Sequence, residues 1–483
     1  MDKLINGIGR FLLTVSILWN GPIFAQERAQ DKPNIIFILA DDLGYGDVGF
    51  NGQELIQTPH IDLLAKEGRV YDTFYAGSTV CAPSRSSLIS GQHTGHTFIR
   101  GNKGVEPEGQ FPIADSVVTL AEVLQDRGYK TGAFGKWGLG PVGSSGDPNR
   151  QGFDKFYGYN CQSLAHRYYP EHLWDNGQKV LLTENKNLQE QKQYAPDLIH
   201  EQTINFIREN QHDPFFLFLP YILPHAELIV PDDSLFNYYK GKFEETPFVG
   251  KDYGDNAAPG GYASQRYPHA AFAAMVGRLD RYVGDVLKTL ETLGLDSNTI
   301  IIFTSDNGPH VEGGADPDYF NSSGGLRGVK RDLYEGGIRV PFVVRWPAQI
   351  AAASKGTFVG AFWDILPTLA DITGASTPQN LDGVSFKNSL LGHEAEQKQH
   401  DYLYWEFHEQ GGKQAVRWKN WKGIKLNAKS DDEDLFELYD LSGDVSEKYN
   451  IAEKYPDIAR KILGFMEEAH QESDIFPFEQ DEN

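Results

Sequence analysis

The sequence predicts an α/β fold: a large, doubly wound, mostly parallel sheet flanked by helices, with a smaller C-terminal α+β subdomain that contains an antiparallel sheet. Three observations predict it. Short continuous apolar runs at residues 34–39, 131–134, 215–219, 299–303 and 340–344 are the mark of strands buried on both faces. Amphipathic helical stretches lie between these runs, as a doubly wound sheet requires. After about residue 395 the texture shifts to alternating segments with several Trp and Lys.

Each element has its own signal. The run at 34–39 is a clear strand and the one at 131–134 a weaker one. Leu120, Leu124 and the stop at Gly128 define one helix. Met275, Leu279, Tyr282, Val283, Val286 and Leu290 line one face of a longer helix that stops near Gly294. Segments 141–200 and 226–268 are rich in Gly, Pro, Tyr, Asn and His with weak periodicity, and read as loops that shape a pocket. Residues 402–407 and 415–426 read as strands of a small antiparallel sheet, and 456–469 as a helix. The expected division is an N-terminal α/β domain over 26–395 and a C-terminal α+β subdomain over 396–483.

At 483 residues, with 40% hydrophobic and 12% aromatic content, the chain is long enough for a large packed core. A net charge of −23 argues against nucleic acid as a partner, since phosphate binding needs excess Lys and Arg. It does not exclude a small anion held by locally converging cations. Residues 1–25 read as a signal peptide: Lys3 and Arg10 give a positive start, 11–18 an apolar run, and Ala25 suits the position before cleavage. Asn20, Gly21 and Pro22 break that run short of a membrane span. With no Cys near the cleavage site, neither a lipid nor a stable membrane anchor is expected. The protein is therefore expected to be exported, periplasmic or secreted. An exported chain could join its two cysteines, Cys81 and Cys161, in a disulfide.

In open α/β sheets the ligand site lies beyond the carboxyl ends of the strands. Those ends are where the reactive residues cluster. The first strand ends in Asp41-Asp42, the second in Lys136, the next runs out to Pro224-His225, and another ends in Asp306-Asn307. On spacing alone Asp41-Asp42 reads equally well as a turn. Taken together, Asp41, Asp42, Asp306 and Asn307 offer only oxygen, which suits a hard divalent cation, calcium better than magnesium. The segment Cys81-Ala82-Pro83-Ser84-Arg85 precedes a helix expected over 84–90. A group at a helix start faces unpaired N–H groups that favour an anion, and Arg85 adds a cation.

Cys81-Ala82-Pro83-Ser84-Arg85, with Gly91 at the expected offset, resembles the signature of the type I, formylglycine-dependent sulfatases of the alkaline phosphatase superfamily. The resemblance extends through Asp41-Asp42-Leu43-Gly44-Tyr45-Gly46-Asp47, Thr58-Pro59-His60 (His where Asn is more usual), Gly135-Lys136-Trp137, Pro224-His225 and Ser305-Asp306-Asn307-Gly308. It continues in Leu326-Arg327-Gly328-Val329-Lys330, the stretch from Glu335 to Pro341, and Glu437-Leu438-Tyr439-Asp440-Leu441, so that it covers roughly residues 33 to 455.

The resemblance implies that a formylglycine-generating maturation enzyme oxidises Cys81 to formylglycine (3-oxoalanine), so that no disulfide remains. It implies that Asp41, Asp42, Asp306, Asn307 and residue 81 hold calcium, and that hydrated residue 81 attacks the sulfur of a sulfate ester. Lys136 and Lys330 would contact sulfate oxygens, His225 would serve as general acid or sulfate clamp, and Arg85 would hold the nucleophile. One departure stands out. Where the family reads Gly-Lys-Trp-His-Leu-Gly, this chain has Gly138 in place of the His that contacts the diol and helps release sulfate. His93, His96 and His310 are candidate substitutes, with His96 favoured because it follows the nucleophile helix. Aromatic and polar residues suggest a saccharide pocket: His166, Tyr168, Tyr169, His172 and Trp174 in one loop, and His408, Gln410 and Gln414 near the C-terminal strands. His96, His166, His310 and His408 are the expected substrate contacts, and a sulfated saccharide the expected substrate. Two alternatives stand beside this reading: a phosphodiester or phosphonate ester hydrolase of the same superfamily, and an inactive glycan-binding protein in which Cys81 stays a thiol.

Overall fold

Strand β1, Asn34–Ala40, has all seven residues buried, and its side chains explain the two-layer cover of the sheet. Side chains alternate across a strand. Ile36, Ile38 and Ala40 face one apolar core, while Ile35, Phe37 and Leu39 face another. A strand between two cores is apolar along most of its length, here from Ile35 to Ala40, which is why this stretch reads as a nearly continuous run. The computed structural model describes residues 32–106, 108–186, 190–251, 261–429 and 435–478. The segment read as a signal peptide, 1–25, lies outside the described residues. Among the described residues, no helix is long and apolar enough to cross a membrane.

The central sheet has ten strands. In chain order they are β1, β2 (Arg69–Tyr71), β3 (Lys130–Lys136), β4 (Lys155–Tyr159), β5 (His172–Asp175), β6 (Gln178–Leu181), β7 (Phe215–Pro220), β8 (Thr299–Ser305), β9 (Val343–Arg345) and β10 (Ser354–Gly356). They lie side by side as β10-β2-β9-β8-β1-β7-β3-β4-β5-β6. The central five, β8-β1-β7-β3-β4, are mutually parallel. Helices α1 (Pro59–Glu67), α4 (Ala195–Glu209) and α5 (Pro268–Leu293) cover one face, and α2 (Cys81–Ser90), α3 (Leu120–Asp126) and α6 (Ile365–Thr373) the other. Local chemistry sets their ends. Thr119 and Glu122 form a reciprocal capping box that starts α3, and Gly294 stops α5 in the left-handed region at φ 69°.

Three expectations are corrected. The apolar run at 340–344 yields a shorter strand, β9, which runs antiparallel to β8 with Ile302 opposite Val344. Apolarity reports burial on both faces but not the direction in which the chain enters the sheet. Segment 141–200, read as loops, contains β4, β5, β6 and the start of α4; β5 and β6 add antiparallel to the sheet edge. Their partial burial leaves mixed composition rather than an apolar run. Helix α2 begins at Cys81 itself and not at Ser84.

The C-terminal sheet is antiparallel, in the order β11 (Leu403–Phe407), β12 (Lys413–Trp418), β13 (Trp421–Leu426) and β14 (Phe436–Asp440). Helix α7, Pro456–Ala469, packs on one face through Ile462 and Met466 against Tyr404, Val416 and Leu438. The opposite face, with Trp405 and Ile424, packs on Tyr75, Ile338 and Trp363 of the main body.

Glu406 ties this sheet to the main body. Its carboxylate accepts from Arg100 Nη1 at 3.1 Å, His408 Nε2 at 2.9 Å, Tyr404 Oη at 2.8 Å and His470 Nδ1 at 2.8 Å. Burial pushes this carboxyl up, but His408, His470 and Arg100 outweigh it and hold it at about 2. A depressed folded-state pKa stabilises fully above the ordinary value of 4.5 and ceases to do so as pH falls toward 2. Acid should therefore remove on the order of 3 kcal/mol between those limits. Urea midpoints measured against pH should show that loss, and Glu406→Gln should flatten it while lowering stability at pH 7.

Candidate active site

The site is built where the parallel strands end. After β1 the chain turns through Asp42, held in the left-handed region at φ 65°, a conformation Asp tolerates better than most residues. Asp42 N–H donates to Asp306 Oδ1 at 3.1 Å, and Leu43 N–H donates to Ser305 Oγ at 2.9 Å, so the turns after β1 and β8 brace each other. Asp41, Asp42, Asp306 and Asn307 are all fully buried.

Helix α2 delivers Cys81 to these carboxylates. All ten of its residues are buried, and Val80 at its N-cap has no side chain that could satisfy the free N–H groups. Cys81 Sγ donates to Asp41 Oδ1 at 3.3 Å. Burial, reinforced by the charges of Asp41 and Asp306, pushes the Cys81 thiol up, far from ionisation at neutral pH. Arg85, one turn along, donates to Asp306 Oδ2 from Nε at 3.2 Å and from Nη2 at 2.8 Å, and lies 3.3 Å from Asp41 Oδ2. Arg85 Nη1 also donates to the Lys136 carbonyl, which ties α2 to the end of β3.

Two lysines complete the charge balance. Lys136 Nζ donates to Asp41 Oδ2 at 2.7 Å, and Lys330 Nζ donates to Asp42 Oδ2 at 2.7 Å. Burial pushes the Asp41 carboxyl up, yet Lys136 and Arg85 hold it well below the usual carboxylate range. His225 Nδ1–H donates to the Ala226 carbonyl, which leaves Nε2 free to accept from Lys330 Nζ at 3.1 Å. Burial and the neighbouring Lys330 hold this imidazole well below its ordinary range, so it is neutral at pH 7.

The residues fit a hard cation. Asn307 Nδ2 donates to Asp42 Oδ1 at 2.7 Å, while Asn307 Oδ1 is buried without a partner. An orphaned carbonyl oxygen beside three buried carboxylates is the acceptor that an oxygen-seeking ion would use. Asp41, Asp42, Cys81 and His225 also offer ligand atoms that all lie within 4.8 Å of one another. Without an ion, Asp41, Asp42 and Asp306 are balanced by Arg85, Lys136 and Lys330. A divalent ion would make the cluster cationic, which suits an anionic ester.

Of the expected substrate contacts, two join this cluster and two do not. The His166 ring stacks on His225 at 4.7 Å, and the His310 ring stacks on His225 at 5.7 Å. His96 is corrected. It binds Asp382 through Nδ1 at 2.9 Å and stacks on His93, beyond the C-terminal end of α2. Cys81 is at the opposite end of that ten-residue helix, about 15 Å away at 1.5 Å per residue. Proximity in sequence placed His96 at the wrong end. His93 shares that place. His408 is corrected too: it is buried, bonded to Glu406 and packed against Phe478, within the C-terminal network described above. Tyr168 is buried as well and holds the Ile222 and His225 carbonyls through its hydroxyl. Both cysteines are free. Sequence reasoning missed Gln162, which lies against Gly138; it sits in the mixed-composition segment 141–200, read as loop, and carried no signal of its own.

A doubly wound sheet whose strand ends gather three buried carboxylates, with two lysines, an arginine and a buried helix-start cysteine against them, is a site suited to the hydrolysis of an anionic ester. The family model described as Sulfatase matches residues 33–375, and that of N-sulphoglucosamine sulphohydrolase, C-terminal, matches residues 328–472. The chain belongs to the sulfatase family, the formylglycine-dependent type within the alkaline phosphatase superfamily, and is a sulfuric ester hydrolase. It is 29% identical to the N-acetylgalactosamine-6-O-sulfatase of Bacteroides thetaiotaomicron, over 90% of this chain and 93% of that one. It is 31% identical to arylsulfatase A of Homo sapiens, over 87% and 83% respectively. The crystal structure of Ps i-CgsB in complex with k-i-k-neocarrahexaose superposes with a TM-score of 0.76 at 28% identity, covering 91% of this chain and 94% of that one.

Proposed function

We propose that this protein is an exported, calcium-dependent sulfatase that removes sulfate from a sulfated carbohydrate with a formylglycine at position 81. The observation that carries the reading is the placing of Cys81 at the head of a buried helix, 3.3 Å from Asp41, between carboxylates that an oxygen-seeking ion suits. A thiol kept protonated there is a poor nucleophile. The site makes chemical sense once a maturation enzyme has turned that side chain into an aldehyde, whose hydrate carries two hydroxyls on one carbon. Calcium held by Asp41, Asp42, Asp306 and Asn307 supplies the charge that favours an ionised hydroxyl at residue 81.

The other residues divide the remaining work. Arg85 fixes Asp306 and Asp41 and so positions the head of α2. Lys136 and Lys330 turn from their carboxylates toward the sulfuryl oxygens and offset charge that grows in the transition state. Neutral His225, with its Nε2 lone pair on Lys330, forms with that lysine the pair that passes a proton to the departing sugar oxygen. The carbohydrate reading draws on the relatives, one an N-acetylgalactosamine-6-O-sulfatase and one crystallised with a neocarrahexaose.

Three measurements test this. Intact-mass analysis of protein matured in a competent host should show the mass lost when a thiol becomes an aldehyde at residue 81. Values of kcat/KM should be higher on sulfated galactosamine and galactan oligosaccharides than on an aryl phosphodiester, and calcium should restore activity removed by chelation. A free thiol at residue 81 in active protein, or faster turnover of the phosphodiester, would overturn the reading.

A further inference from the structure

The corner of the site that Gly138 leaves open is filled from another element. Gly138 lies two residues past Lys136, at φ 75°, and a Cβ there would meet Gln162 Nε2 at 2.9 Å. Its N–H donates to the Asn160 carbonyl at 3.1 Å, so the end of β4 is fastened beside the end of β3. Gln162 opens the one-turn helix Gln162–Ala165, which follows β4. His166 is four residues on, a spacing that puts both side chains on one side of the turn. Since His166 stacks on His225 at 4.7 Å with planes 11° apart, that side faces the Lys330–His225 half of the site. The opposite flank of Gln162 touches Gly138, next to Lys136.

Gln162 Nε2 is buried and has no hydrogen-bond partner. Neither side-chain atom of Asn160, a residue 3% exposed, has one either. Buried donors are rarely left unpaired without a reason, and at a site built for an anion the missing partner is an acceptor oxygen. We propose that Gln162 is a substrate-contacting residue that donates from Nε2 to a sulfuryl oxygen, on the side left open by the absence of an imidazole at position 138. This rests on the placement of the sulfuryl group over residue 81 between Lys136 and Lys330. A carboxamide donates a hydrogen bond but takes up no proton, so this corner contributes binding and orientation without acid–base chemistry.

The test is binding of inorganic sulfate, measured by titration calorimetry at constant ionic strength in full-length protein carrying Cys81→Ala, which cannot turn over. Adding Gln162→Ala should weaken sulfate binding about 10-fold, the usual worth of a hydrogen bond to a charged group. Gln162→Glu keeps the size but presents a carboxylate to the anion, and should weaken binding further. Gly138→Ala, which crowds the amide from the backbone side, should move affinity in the same direction. A packing role would lower the melting temperature in Gln162→Ala and spare sulfate affinity in the isosteric Gln162→Glu. Unchanged affinity in both overturns the proposal and leaves the sulfatase reading standing. If the Cys81→Ala protein binds no sulfate at all, the sulfuryl placement is wrong and this proposal falls with it.

Discussion

Cys81→Ala should fold as the parent chain does and lose sulfate-ester hydrolysis by about 10⁴-fold or more, the scale on which a residue acting as nucleophile is missed. Both halves of that result follow from the position. Cys81 is 2% exposed and makes one polar contact, to Asp41, so trimming Sγ removes little volume and leaves no charge unpaired. The cost in stability should be about 1 kcal/mol. The chemistry rests on residue 81, because Lys136 and Arg85 beside Asp41 are cations already committed to carboxylates and the neutral His225 has its Nε2 on Lys330. Steady-state rates on an aryl sulfate, beside a melting curve and a calcium titration, check it. Activity within 10-fold of the parent, measured on protein of verified mass, would show that residue 81 is not the attacking group.

Asp306→Ala carries the largest expected stability effect. It strips Arg85 of both its 2.8 Å and 3.2 Å contacts and leaves a guanidinium of zero exposure with the Lys136 carbonyl and, as its remaining carboxylate, Asp41 at 3.3 Å. Removing one partner of a buried pair costs about 3–5 kcal/mol. The change also removes a proposed oxygen ligand. Parent protein should gain about 2.7 kcal/mol from calcium at a hundred times its dissociation constant. Asp306→Ala should gain almost none, and Asp306→Asn, which keeps an oxygen, should gain part of it. Denaturant midpoints with and without calcium separate the two consequences. The loss in chelator reads the ion pair with Arg85, and the missing calcium increment reads the ligand.

Much of this centre was legible before any coordinates. Asp41, Asp42, Cys81, Arg85, Lys136, His225, Asp306, Asn307 and Lys330 were singled out, and the structure gathers them through direct contacts. Asp41, Asp42, Lys136, Asp306 and Asn307 were legible because they stand at the ends of buried strands, where apolar runs give way abruptly to charge, whereas Lys330 was picked out by its resemblance to a family motif. His96 was misplaced because distance along the chain was allowed to stand for distance in space, and His408 because a polar side chain near the C-terminal strands was read as pocket when it is buried on Glu406. Ten helical residues are enough to put His96 at the far end of α2. Gln162 was invisible for the opposite reason. It belongs to a mixed-composition segment read as loop, and its meaning comes from a glycine twenty-four positions earlier.

The sequence by itself determined the layered α/β architecture, most strands at the centre of the sheet and which charged side chains stand at their ends. Burial on both faces writes itself into composition, since a strand between two cores is apolar along most of its length. The tertiary structure decided the direction of β9, the addition of β4, β5 and β6 to the sheet, the pairing of each lysine with its own aspartate, and the meeting of Gln162 with Gly138. Those depend on which segments approach one another across long stretches of chain, and local composition carries no record of a contact whose partner lies on another element.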